Sequence, residues 1–121
     1  MSTLIRREKE GVEVAYFQDT RIIDESRIET LGKELGDLVA NPASKKIVLN
    51  FQNVGFMSSA MLGKLILFGK KCKEAKLDLR LCGINANIDK VFKLMKLEKV
   101  FSIDKDELAS IEKLNKKGWF G

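Results

Sequence analysis

Histidine is missing from this chain, and proline, tryptophan and tyrosine occur once each in its 121 residues. Each scarcity removes a class of chemistry. Without an imidazole there is no Ser-His-Asp triad. Two cysteines without histidine cannot complete the four ligands of an ordinary structural zinc site. Those two, Cys72 and Cys82, read as reduced, buried small side chains, a disulfide between them being the lesser alternative. No glycine-rich loop ends in Gly-Lys-Ser or Gly-Lys-Thr, and no G-x-G-x-x-G follows a strand, so nothing cradles a nucleotide phosphate. Long apolar runs are missing too. The longest, residues 65–69, falls far short of a membrane span. The opening "MSTLIRREKEG" lacks the apolar stretch of a secretory signal. The expectation is a cytoplasmic protein with no membrane insertion and no metal or cofactor of its own.

What is present is a globular composition. Apolar residues make up 45% and charged residues 32%, too apolar for a disordered chain and enough for one core-bearing domain spanning residues 1–121. The net charge is +5 and the pI about 9.2. Lys70, Lys71, Lys73 and Lys76 follow one apolar stretch, and Lys90, Lys93, Lys96 and Lys99 lie on another. No basic run is interleaved with stacking aromatics, so these read as solvated helix faces and not as a nucleic-acid site.

The pattern of periods gives the order of elements. Val12, Val14 and Tyr16 alternate with Glu13, Ala15 and Phe17 as in a strand, and "KEG" before them reads as a hairpin turn from a first strand at 4–8. Ile28, Leu31, Leu35, Leu38 and Val39 fall at helical spacing over 25–40, with Asp24 placed to cap the start and "NPAS" to end it. "KIVLNF" at 46–51 is apolar enough to be covered on both faces, hence central in its sheet. A helix over 59–76 turns Leu62, Leu65, Ile66, Gly69 and Cys72 inward. A strand follows at 77–84, then a helix over 87–96 with Ile88, Val91, Phe92 and Met95 as its apolar face. A short strand at 100–103 precedes a last helix to about 116, capped by Asp104 or Asp106. The order β-β-α-β-α-β-α-β-α predicts an α/β domain: a mostly parallel sheet of about four to five strands carrying about four helices.

Candidate chemistry concentrates in "FMSSAMLGK", residues 56–64, where a strand hands over to a helix. Ser58 or Ser59 with Lys64 would be a Ser-Lys dyad, but Lys64 lies one or two turns along the helix and nothing nearby argues for the burial a neutral lysine base would need. The chain is therefore not expected to be an enzyme. A serine here serves as a helix cap worth about 1 kcal/mol. It can also be a modification site. Phosphate at a helix N-terminus meets unpaired N–H groups and partial positive charge, while adding about −1.5 to −2 charges to the surface. The fold survives and the interface is rewritten.

The run "IVLNFQNVGFMSSAMLGKLILF", with "LRLCGINANIDKVFKLMKLEKVFSI" after it, resembles the STAS domain of bacterial anti-sigma factor antagonists over about residues 10–115, leaving 116–121 as a tail. That resemblance implies a phosphorylation-controlled binding module. The unmodified antagonist binds an anti-sigma factor, often itself a serine kinase, and so frees a sigma factor; the kinase inactivates it by phosphorylation and a phosphatase restores it. ATP and Mg belong to the partner kinase. The family motif Asp-Ser-x-Gly-Leu-Gly, laid on from Phe56 and Met57, puts Ser58 at the Asp position and the acceptor at Ser59, with Ser58 the second choice. Met61 stands where the family has glycine, while Leu62 and Gly63 match. Asp24 matches a family aspartate beside the acceptor, its alternative role being a cap alone. The other function the family offers is that of an adaptor subunit in a transport or larger signalling assembly, without a phosphoswitch.

If Leu62, Ile66 and Gly69 face the sheet, helical geometry turns Met61, Lys64, Phe68 and Lys71 away from it. Met61 and Phe68 are then either an exposed partner-binding pair flanked by lysines or contacts to the neighbouring helix. The tail "KKGWFG" offers Trp119 and Phe120, either packed back on the domain or presented to a partner.

Overall fold

The computed structural model describes the backbone of residues 3–120 and the side chains of residues 3–116. The chain opens with β1 (Leu4–Lys9) and β2 (Val12–Phe17), an antiparallel hairpin in which Lys9 faces Val12. Its two linking residues, Glu10 and Gly11, both have positive φ (51° and 80°), the primed-turn geometry that matches strand twist and that glycine adopts without strain. β3 (Arg21–Ile22), α1 (Glu25–Ala40), β4 (Lys46–Asn50), β5 (Phe56–Met57), α2 (Ser59–Glu74) and β6 (Asp78–Cys82) follow. The chain ends with α3 (Ala86–Leu94), a single 3-10 turn (Leu97–Lys99), β7 (Ile103–Asp104) and α4 (Glu107–Phe120).

The main sheet has the order β1-β2-β4-β6-β7 and is parallel except for the hairpin pair. β4 lies at its centre, as its unbroken apolar sequence requires. Side-chain alternation divides the core into two layers. Ala15, Phe17, Ile47, Leu49 and Leu81 point to the face covered by α1, α2 and α3; Val12, Val14, Val48 and Cys82 point to the other, where Ile111 and Leu114 of α4 cover them. Cys72, on α2, belongs to the first layer and Cys82 to the second, and both thiols are free. Burial pushes each up to about 12. The lesser alternative of a disulfide is thereby excluded, since the sheet stands between them.

Several boundaries differ from those the sequence implies. The expected strand at 100–103 is shorter and later, Ile103–Asp104, with the 3-10 turn at Leu97–Lys99 ahead of it. α3 ends at Leu94, and Val91 and Met95, expected on its inner face, are exposed. Asp106 caps α4, its carboxylate accepting from the Ala109 N–H at 2.9 Å. Asp104 is buried beneath that helix with another role. Gly69 is required by contact: a Cβ there would lie 2.7 Å from the ring of Phe101. The side chains of Trp119 and Phe120 lie outside the described residues, and with them the reading of the tail.

Candidate functional site

β3 and β5, two residues each, form a separate parallel ribbon in which Arg21 pairs with Phe56 and Ile22 with Met57. The Ser58 N–H extends the pairing by donating to the Ile22 carbonyl at 3.0 Å. Just beyond it both strands lead into helices, so the ribbon sets the N-termini of α1 and α2 side by side. Asp24 caps α1, accepting from the Arg27 N–H at 3.0 Å and from the Ser26 hydroxyl at 2.6 Å. Those donors, the serine hydroxyl first, hold its carboxyl below the usual carboxylate range. Ser58 caps α2, its hydroxyl oxygen accepting from the Met61 N–H at 3.4 Å.

The two serines are thus separated by role. Ser58 is half-buried and its oxygen is engaged; Ser59, the first residue of α2, is exposed. Between the helix ends lies a groove of about 370 Å³ lined by residues that include Ile23, Glu25, Ser58, Ser59, Ala60 and Lys64. Two helix N-termini direct partial positive charge towards its mouth, where the carboxylates of Glu25 and Glu29 oppose it. Lys64 spans the groove to α1, its ammonium 3.2 Å from Glu29. Ser58→Ala is accordingly expected to cost about 1 kcal/mol in urea unfolding, and Ser59→Ala less than about 0.5 kcal/mol, because only the first removes a cap.

Two residues proposed for partner contact are corrected. Met61 and Phe68 are buried, 0% and 2% exposed, and belong to the core. α2 is covered both by the sheet and by α1, so its inner arc runs through Met61, Leu62, Leu65, Phe68 and Cys72, while Leu67 is the exposed apolar side chain. Ser58, Ser59 and Lys64 line one groove, and Asp24 caps α1 between the lining residues Ile23 and Glu25. The sequence reading missed Phe56, which is 48% exposed with the Arg21 guanidinium 5.7 Å from its ring centre. Its position in "GFMSS", an aromatic directly ahead of the serines, was the available signal.

This geometry is that of a single α/β domain with a mostly parallel sheet, whose small side ribbon sets two capped helix N-termini together and leaves a hydroxyl exposed at the start of α2. The STAS domain family matches residues 7–109, and the chain belongs to it. Solved structures of similar fold include an anti-sigma factor antagonist from Mycobacterium paratuberculosis, 18% identical with a TM-score of 0.82 over 93% of both chains. An RsbS variant from Moorella thermoacetica is 15% identical, with a TM-score of 0.81 over 97% of this chain and 98% of that one. The Bacillus cell fate determinant SpoIIAA in its phosphorylated form is 15% identical, with a TM-score of 0.69 over 92% of this chain and 98% of that one. At such identities the likeness is one of fold. No helix among the described residues is long and apolar enough to cross a membrane.

Proposed function

We propose that this chain is a phosphorylation-regulated binding switch, an anti-sigma factor antagonist that binds an anti-sigma factor with serine kinase activity when unmodified and loses that partner when Ser59 is phosphorylated. The observation that carries the reading is the contrast between the serines: Ser59 is exposed at the first turn of α2, while the Ser58 oxygen is spent on the cap. A phosphate on Ser59 would enter the field of the α2 N-terminus without displacing a structural hydrogen bond. Its added charge would join the carboxylates of Glu25 and Glu29 at the same groove and alter what a partner meets there. On this reading the chain catalyses nothing. The partner kinase brings ATP and Mg, and a phosphoserine phosphatase resets the switch.

The test is phosphate mapping. After incubation with the cognate anti-sigma kinase, ATP and Mg, mass spectrometry is expected to find one phosphate on Ser59, absent in Ser59→Ala and kept in Ser58→Ala. Ser59→Asp should weaken the complex by about tenfold or more, about 1.4 kcal/mol. Phosphate on neither serine would reject the switch, and phosphate on Ser58 alone would reject the acceptor assignment.

A further inference from the structure

Beside the switch groove, on the side away from α1, lies a second and more apolar one. Its volume is about 190 Å³, and Phe56, Met57, Leu62, Asn87, Ile88 and Val91 line it. It is fixed in place. The Asn85 side chain donates to the carbonyls of Val54 (3.3 Å) and Gly55 (3.0 Å) and accepts from the Ile88 N–H (2.8 Å), tying the start of α3 to the strand that carries Phe56. A rigid groove spares a ligand the cost of ordering it.

The groove does not end at its own walls. Val91 is 37% exposed, and one helical turn further Leu94 is 82% and Met95 46% exposed. Residues three and four apart share a helix face, so these continue the stripe that starts at Phe56. Cations border it: Arg21 over Phe56 at one end, Lys90 and Lys93 along the helix, Lys96 just past it. Asp89, the acid within α3, is itself paired with Lys93 at 3.1 Å. This local excess reflects a wider one. Residues 64–99 carry ten lysines and arginines against four acids, while the rest of the chain is nearly balanced.

We infer that the Phe56–Val91–Leu94 stripe docks an acidic amphipathic helix of a protein partner, with one large apolar side chain seated between Phe56 and Val91 and carboxylates beside Lys90 and Lys93. Apolar anchors at helical spacing in a preformed groove are the helix-in-groove mode, and the basic rim sets the sign of the partner's polar face. The inference deepens the proposed function by naming part of the partner's chemistry. It rests on that function only in taking the occupant for a protein.

The experiment uses the whole chain and a defined probe: an N-acetylated helix-forming peptide of about 16 residues with leucines at i, i+4 and i+7 and glutamates beside them. Titration is expected to shift the amide NMR signals of Phe56, Val91 and Leu94. Affinity should fall about tenfold or more in Val91→Asp and Leu94→Asp, stay unchanged in Leu108→Asp on α4, and weaken between about 0.05 M and about 0.5 M salt. Equal binding of the lysine-for-glutamate twin, shifts confined to other surfaces, or no binding would overturn it. So would association of the chain with itself through this stripe, or binding to vesicles of phosphatidylcholine and phosphatidylglycerol while the peptide is ignored. Phosphate mapping on Ser59 is independent, so groove and switch stand or fall separately.

Discussion

Asp104→Ala is expected to destabilise the domain by about 3–5 kcal/mol, a loss large enough to consume much of the stability of a domain this size. The Asp104 side chain is fully buried at the end of β7, between the sheet and α4. It accepts from Arg80 through two nitrogens (2.6 and 3.1 Å), from the Lys113 ammonium at 2.6 Å and from the Ser110 hydroxyl at 2.6 Å. Burial alone would raise its pKa, but those donors outweigh it and hold the carboxyl well below the usual carboxylate range. Removing it leaves the Arg80 guanidinium, partly buried under α4, without its anion. Asp104→Asn keeps the shape and discards the charge, so its loss should be smaller than that of the alanine variant.

The pH dependence has a definite sign. In the unfolded chain an aspartate titrates near 3.9, and here the folded value is lower. Its ionisation therefore stabilises the fold fully above about pH 5, and that contribution fades as the pH falls through the unfolded value towards the folded one. Urea midpoints measured from pH 6 down to pH 3 should fall for the natural chain and fall less steeply for Asp104→Asn. Parallel curves would show that the carboxyl is not the group responsible. Glu107 adds to the slope of both proteins, because Lys9, Tyr16 and Asn50 hold it below its ordinary range against the effect of burial.

Nothing in the sequence announced that cluster, because Arg80 and Asp104 are 24 residues apart and meet only once β6 and β7 pair. An aspartate ahead of a helix reads first as a cap, and Asp106, two residues on, takes that role. What was legible follows from local rules. The alternation of periods gave the helices to within a few residues, the apolar run of 46–51 placed β4 at the sheet centre, Asp24 caps α1 as expected, and of the two serines open as caps of α2 Ser58 takes the role. The ribbon of β3 and β5 was not legible, since two residues carry no period. Yet that ribbon sets the N-termini of α1 and α2 side by side, so Ser58, Ser59 and Lys64 meet at one groove, whereas Met61 and Phe68, named with them from the chain, belong to the core and Phe56 was missed.

The phase of α2 was the other loss, and it leads to the second large effect. "LILF" at 65–68 is apolar on every side of the helix, so hydrophobicity alone does not select a face. Met61, Leu65, Phe68 and Cys72 recur at spacings of four, three and four, and these are the buried residues; choosing Ile66 and Gly69 instead rotates the face by about 100°. Met61→Ala is therefore expected to cost about 2–5 kcal/mol of unfolding free energy, and Met61→Leu, which nearly conserves volume, less than about 1.5 kcal/mol. Held under conditions where it stays folded, the alanine variant should bind the proposed anti-sigma partner within about threefold of the natural chain, or about 0.7 kcal/mol, because no part of the removed side chain reaches the surface. Ser59→Asp should show the reverse, unchanged stability with a weakened complex. If Met61→Ala left stability intact and abolished binding, the side chain would be a surface anchor and the packing of α1 on α2 would differ from that described. Met61 thus fills the space beneath the first turn of α2 while Ser59 stays exposed above it, so a change of stability at the one and a change of binding at the other can be measured separately.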